Sequence, residues 1–290
     1  MRFAEKITDG CATMMITLNG INYYVSQQNT GQAPLLLLHG FTGSATAWAS
    51  LLDALPPHIH AIAPDLIGHG RTDSPADPAR YRMEHCVADL LALLDMLQLK
   101  QVDLLGYSMG GRVALQLAAA APERINTLIL ESSSPGLADA NEREARAAAD
   151  NALADSIERD GLAAFVERWE RLPLFASQAA LPEDVRTRIC AQRMRNNPLG
   201  LANSLRGMGT GQQSSLWDRL PEITIPTLLI VGELDRKYCA IANEMQALLP
   251  NARTLQIANA GHTVHVEQPQ VFAQNVLKFL ETNNRTKRGR

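Results

Sequence analysis

No stretch of this sequence approaches the roughly 18 consecutive apolar residues that suggest a membrane span. Its opening decapeptide carries Arg2 and Lys6 without the apolar run that a secretory signal places after them. A cytoplasmic protein with no membrane partner is expected. Cysteine is scarce: Cys11, Cys86, Cys190 and Cys239 lie far apart, with neither paired metal-ligand spacing nor the density of a disulfide scaffold. They are expected to be reduced thiols, and no metal site is expected. A phosphate-binding glycine loop is also missing, so no motif calls for a cofactor, metal or organic. With a formal net charge of -3, the chain lacks the basic excess of a nucleic-acid binder. Internal repeats and low-complexity segments are absent. Basic residues do gather at the C-terminus, Arg285, Lys287, Arg288 and Arg290 beside Asn283 and Asn284, where a frayed, solvated tail is expected.

What is present is the composition of an ordinary globular protein, 46% hydrophobic and 20% charged over 290 residues. That length allows one large domain or a core with an inserted subdomain. Two β-rich runs between Met14 and Val25 flank Asn19-Gly20, a hairpin signal. Runs apolar on both faces, at Leu35–Leu38, His60–Ala63, Val102–Leu105, Ile125–Leu130 and Thr227–Val231, suit buried parallel strands. Amphipathic stretches separate them; Val87, Leu90, Leu91, Leu94 and Leu97 recur at helical spacing within residues 83–97. This alternation predicts an α/β fold with a mostly parallel central sheet flanked by helices. The rhythm breaks after Pro135 and resumes near Thr224, with a further strand at Leu255–Ile257 and a last helix near Val271–Leu280. Residues 1–135 and 216–290 are therefore expected to form the core, and residues 136–215 an α-helical cap inserted between two strands.

The strongest chemical signal is Gly106-Tyr107-Ser108-Met109-Gly110, a Gly-x-Ser-x-Gly that follows a buried strand and precedes a helix. There a serine occupies a strained turn with its oxygen exposed. A hydroxyl is a poor nucleophile or base alone, so an imidazole must accept its proton and a carboxylate must fix the imidazole's tautomer. Asp235 and His262, in turns after Gly232 and Gly261, follow in the order Ser, acid, His; Glu233 and His265 are the rival acid and base. The oxyanion hole is expected from the backbone N–H groups of Met109 and Phe41, with His39 holding the latter's loop by hydrogen bonds. Arg112 stands about one helical turn from Ser108. A cation so close to the nucleophile is costly without an anionic partner, which predicts an anionic small-molecule substrate. The cap offers Arg143, Arg146, Arg193, Arg195 and Trp169, among which periodicity does not choose.

Several segments resemble α/β-hydrolase proteins over nearly the whole chain: Asp65-Leu66-Ile67-Gly68-His69-Gly70, Arg71-Thr72-Asp73-Ser74-Pro75 and Ala260-Gly261-His262. A narrower likeness joins core to cap. Leu38–Ser44 with Trp48, Gly106–Arg112, Pro135-Gly136-Leu137, Trp169 with Pro173 and Phe175, and Ser204–Gly211 look like the MenH family. The resemblance implies a lyase of menaquinone (vitamin K2) biosynthesis that uses no cofactor and expels pyruvate from 2-succinyl-5-enolpyruvyl-6-hydroxy-3-cyclohexene-1-carboxylate. It implies substrate contacts from Arg112, Tyr107 and Trp169 and from two cap arginines, Arg146 and Arg193, for which Arg143 or Arg195 could stand instead. A monomer or weak homo-oligomer is expected. Two other readings use the same residues: a serine hydrolase, either a carboxylesterase or a C–C bond hydrolase, and a non-catalytic receptor of the same fold.

Overall fold

The computed structural model describes residues 5–8 and 11–288. The hairpin forms where the turn residues require it. Strands β2 (Cys11–Leu18) and β3 (Ile21–Gln28) pair antiparallel with Leu18 opposite Ile21. Asn19 and Gly20 take φ of 45° and 85°, the double left-handed conformation of a type I′ turn. A short edge strand β1 (Glu5–Thr8), which the sequence pattern did not offer, precedes them. The remaining strands are β4 (Ala33–Leu38), β5 (Ile59–Pro64), β6 (Val102–Tyr107), β7 (Ile125–Glu131), β8 (Thr227–Gly232) and β9 (Ala252–Ile257).

Among the described residues these make one nine-stranded sheet in the order β1-β2-β3-β5-β4-β6-β7-β8-β9. Every neighbouring pair from β5 to β9 in that order is parallel, and the pairs β1–β2, β2–β3 and β3–β5 are antiparallel. Because side chains alternate along a strand, Leu36 and Leu38 enter one apolar layer while Leu35 and Leu37 enter the other. The first layer is closed by α2 (Met83–Met96), α3 (Met109–Ala120) and α7 (Arg236–Leu248). The second is closed by α1 (Ala49–Ala54) and the C-terminal helix, through Trp48, Leu51, Phe272 and Val276. Burial on both faces is why these strands read as unbroken apolar runs.

Between β7 and β8 the chain forms α4 (Ala140–Glu170), a 3-10 turn (Pro173–Ala180), α5 (Glu183–Arg193) and α6 (Pro198–Met208). Side-chain caps start two of these helices: Asp139 accepts from the Glu142 N–H, and Asn197 from that of Leu199, both at 2.9 Å. Gly161, at φ 83° and ψ 166°, breaks α4 with a conformation that only glycine adopts readily. The segment has a small core of its own, including Ile157, Phe165, Val166, Leu201 and Leu205. Helix α6 lies so close to the 65–82 region that a Cβ on Gly207 would fall 2.5 Å from that of Tyr81.

After β9 come α8 (Val264–Glu267) and α9 (Pro269–Arg288). Helix α9 carries the backbone to Arg288, so the frayed tail expected there is helical instead. The side chains of Arg285, Lys287 and Arg288, and all of Arg290, lie outside the described residues. No helix is long and apolar enough to cross a membrane, and no group of metal-ligating side chains occurs, among the described residues.

Candidate active site

Strand β6 delivers Ser108 at its carboxyl end, where α/β sheets build their sites. Ser108 takes φ 50° and ψ -108°, a strained conformation for a residue with a side chain. The flanking glycines are steric necessities here. A Cβ on Gly106 would run into the carbonyl of Gly110, and one on Gly110 into that of Leu38. The turn is tied to the neighbouring strand by a 2.8 Å bond from the Ser108 N–H to the Glu131 carbonyl.

Asp235 and His262 come to Ser108 from the ends of β8 and β9. His262 Nε2 lies 3.0 Å from Ser108 Oγ, and His262 Nδ1 lies 2.7 Å from Asp235 Oδ2. The carboxylate can only accept, so Nδ1 carries the proton and Nε2 is left to accept from the serine. Asp235 also accepts from the Tyr238 N–H at 3.3 Å through Oδ1, which fixes it at the start of α7. Gly232 permits this approach, because a Cβ there would strike the Gly261 and Ala260 carbonyls.

The two rivals are placed elsewhere. Glu233 is exposed and accepts from the Asn259 N–H. His265 is buried beneath Tyr107 and Trp48, with Nδ1 donating to Glu131 at 2.8 Å. That second couple holds the loop that carries His262. Glu131 also accepts the His265 N–H at 3.0 Å, and Glu267 accepts the N–H groups on either side of His262, Gly261 at 2.6 Å and Thr263 at 3.1 Å.

Neither the Phe41 nor the Met109 backbone N–H has a protein acceptor among the described residues. The Gly40-Phe41 loop lies against the elbow, where a Cβ on Gly40 would sit 3.5 Å from that of Ser108. His39 braces this loop as expected. Its Nδ1 donates to the Gly40 carbonyl at 2.8 Å, and its Nε2 accepts from the Leu66 N–H at 2.9 Å. Burial lowers the His39 imidazole to about 4, and burial beside His39 lowers His69 to about 3, so both rings are neutral supports.

Cations and aromatics surround this array. Arg112 Nη1 donates to the Met208 carbonyl at 2.8 Å and to Gln213 Oε1 at 2.5 Å, and no carboxylate pairs with it among the described residues. Burial lowers Arg112 to about 10, which leaves it charged at neutral pH. Arg146 pairs with Asp150 at 2.8 Å and stands close enough to Arg112 to oppose its charge. Arg143 is spent on its own helix start, bound to the Leu137 and Ala138 carbonyls. Arg193 is 7% exposed, bridges to Glu170 at 3.0 Å and lies over the Phe175 ring at 4.9 Å, whereas Arg195 is exposed. Trp169 packs on Phe41 and Phe175, and its buried Nε1 finds no acceptor among the described residues.

A cavity of about 540 Å³ lies along one side of this array, lined in part by Phe41, Tyr107, Phe175, Gln178, Arg193 and Thr263 but not by Ser108, His262, Arg112 or Trp169. Sequence reasoning missed Tyr238, whose ring lies 4.6 Å from that of His262, and Gln213, which holds Arg112. It also missed Gln178 and Thr263. Only the spacing of Tyr238 from Asp235, one helical turn, could have drawn attention to any of them.

Fold and site geometry together are those of an α/β-hydrolase-fold enzyme, and the family model for the alpha/beta hydrolase fold matches residues 33–269. A Bacillus subtilis (strain 168) protein that carries the name of 2-succinyl-6-hydroxy-2,4-cyclohexadiene-1-carboxylate synthase is 50% identical, over 92% of this chain and 98% of that one. The same-named Klebsiella pneumoniae (strain 342) enzyme is 36% identical over 88% of this chain and 97% of its own. The solved structure of MenH from S. aureus superposes with a TM-score of 0.86 at 37% identity, covering 90% of this chain and 98% of that one. The chain belongs to the α/β-hydrolase fold family and, within it, to the MenH family of 2-succinyl-6-hydroxy-2,4-cyclohexadiene-1-carboxylate synthases.

Proposed function

We propose that this chain is a lyase of menaquinone biosynthesis that converts 2-succinyl-5-enolpyruvyl-6-hydroxy-3-cyclohexene-1-carboxylate into 2-succinyl-6-hydroxy-2,4-cyclohexadiene-1-carboxylate and pyruvate. The observation that carries the reading is Arg112. A guanidinium that contacts only neutral acceptors, one helical turn from Ser108, with Asp150 acting on it from a distance, is open to direct contact by an anion. A neutral ester would gain nothing from it; a substrate with several carboxylates would.

Comparing substrate with product defines the chemistry. A proton leaves C2, beside the succinyl ketone, the ring double bond shifts, and the C5–O bond breaks to release the enol of pyruvate. No water is consumed. Ser108, His262 and Asp235 act together as the base: Ser108 faces the substrate, His262 draws the proton away, and Asp235 holds the imidazole and stabilises its charge. The N–H groups of Phe41 and Met109 receive the negative charge that develops on the ketone oxygen. Arg112, Arg146 and Arg193 bind carboxylates, with Tyr107 and Trp169 completing the pocket. Residues 136–215 form a lid over a core of residues 1–135 and 216–290. The enzyme works in the cytoplasm on a small molecule, needs no cofactor, contacts neither nucleic acid nor membrane, and is a monomer or weak homo-oligomer.

Coupling the upstream synthase to this protein and following pyruvate tests the reading. Wild type should release pyruvate, Ser108→Ala should not, and Arg112→Ala should lose roughly a hundredfold in kcat/KM. A serine hydrolase would use the same Ser108, His262 and Asp235. Wild type that is inert toward the enolpyruvyl substrate yet hydrolyses simple esters, with Arg112→Ala equally active, would establish that alternative.

A further inference from the structure

Gln178 sits in the Pro173–Ala180 turn, is 7% exposed, and has no part in the chemistry above. Its side-chain amide donates to Thr263 Oγ1 at 3.0 Å, and that oxygen lies 2.8 Å from the Tyr107 hydroxyl. Counting protons gives this short chain a direction. An amide nitrogen can only donate, so the Thr263 oxygen is already an acceptor. Thr263 is itself 6% exposed, and a buried hydroxyl proton without an acceptor is costly. The Tyr107 oxygen is the remaining protein partner of Thr263 Oγ1 among the described residues, and either oxygen of that pair can donate; with Gln178 donating to Thr263, the arrangement that passes each proton onward has Thr263 donating to Tyr107. In that arrangement Tyr107's own proton is left for an acceptor other than Thr263, and the tyrosine lines a cavity. Burial holds the Tyr107 hydroxyl far above its ordinary value, so it stays a neutral donor.

Arg193 lines the same cavity and lies near enough to Tyr107 to act on its charge. A carboxylate held by Arg193 would thus meet a tyrosine proton and not a tyrosine lone pair. The same turn reaches the base directly, since Phe175 lies edge-on to His262 at 6.2 Å. If the turn were withdrawn, Thr263 would lose its donor, Tyr107 could turn its proton back toward Thr263, and its oxygen would repel an incoming carboxylate.

We propose that Gln178, acting through Thr263, orients the Tyr107 hydroxyl so that it donates to an anionic oxygen of the substrate. This makes Gln178 a positioning residue through which the helical segment sets the polarity of the site, and it rests on the lyase reading above.

The test measures pyruvate release for Gln178→Leu and Thr263→Val, each in the wild-type and the Tyr107→Phe background, with folding verified by thermal melts. Loss of the oriented proton should lower kcat/KM roughly tenfold when Tyr107 is present and hardly at all when it is Phe. Equal losses in both backgrounds, or none in either, would overturn the role. Thr263→Val gives the same cycle should Gln178→Leu fail to fold. Wild type that releases no pyruvate would overturn the lyase reading itself, whereas wild-type turnover with additive losses overturns the role of Gln178 alone.

Discussion

The sheet and the helical segment that crosses above it solve different problems with different materials. In the sheet, Leu35 to Leu38 are wholly buried, and the Ser108 turn is held by backbone bonds and glycine contacts that leave no slack. The helical segment buries far less and leans on exposed ion pairs, such as Arg206 with Asp155 and Glu158, and Arg171 with Glu167. The sheet brings Ser108, His262 and Asp235 together, and the crossing segment carries Arg146 and Arg193. Arg112 joins the two: it grows from α3 beside Ser108, but the atoms that hold it, the Met208 carbonyl and Gln213 Oε1, belong to the crossing segment.

Substitutions can sharpen this contrast. Ser108→Ala should abolish activity by roughly a thousandfold or more, since members of such an array act as a unit, yet leave stability within about 1 kcal/mol. Denaturant melts beside pyruvate assays would separate the two effects. Gly110→Ala should do the reverse damage first, costing roughly 3 kcal/mol of stability because its Cβ meets the Leu38 carbonyl, and a lowered melting temperature would reveal it.

Acid should weaken the core next. His39 and His69 titrate near 4 and 3 when folded, below the ordinary value of 6.5, so the unfolded chain binds more protons as pH falls below about 6.5. Their contribution is complete above that value and drains away toward pH 4. Urea melts should lose about 2 kcal/mol between roughly pH 6 and 5, and His39→Gln should flatten the slope. Smallest of all, Arg206→Ala should cost about 0.5 kcal/mol, because its partners are solvent-exposed, and added salt should erase the difference.

The parts legible in the sequence are those written locally. Asn19-Gly20 announces its hairpin because only that turn type suits two left-handed residues. Gly106 and Gly110 announce the elbow because no side chain fits at either. Asp235 and His262 could be chosen over Glu233 and His265 from turn context, and the geometry favours that choice. Other features depend on partners distant in the chain. The Glu131–His265 couple spans 134 residues, and Gln178 meets Thr263 across 85, so neither leaves a periodic trace. Gly161 was unreadable for another reason: it has nothing within 4 Å of where a Cβ would stand, and no pattern marks a glycine that answers only to its own backbone. Likewise Arg146 and Arg143 lie on one polar helix, and only the third dimension shows that Arg143 is occupied by its own helix start.

The loop that carries His262 is fastened by two buried or half-buried carboxylates, Glu131 from the sheet and Glu267 from the short helix that follows. Amides in ordinary surface loops trade hydrogen for deuterium through small local openings. Those of Gly261, Thr263 and His265 are each capped by a carboxylate oxygen, so they should exchange more slowly than uncapped loop amides, with His265, tied to the strand residue Glu131, slowest of the three. A loop so fastened behaves in an exchange experiment less like a surface connection than like an extension of the strand it is tied to, and hydrogen–deuterium exchange would show it.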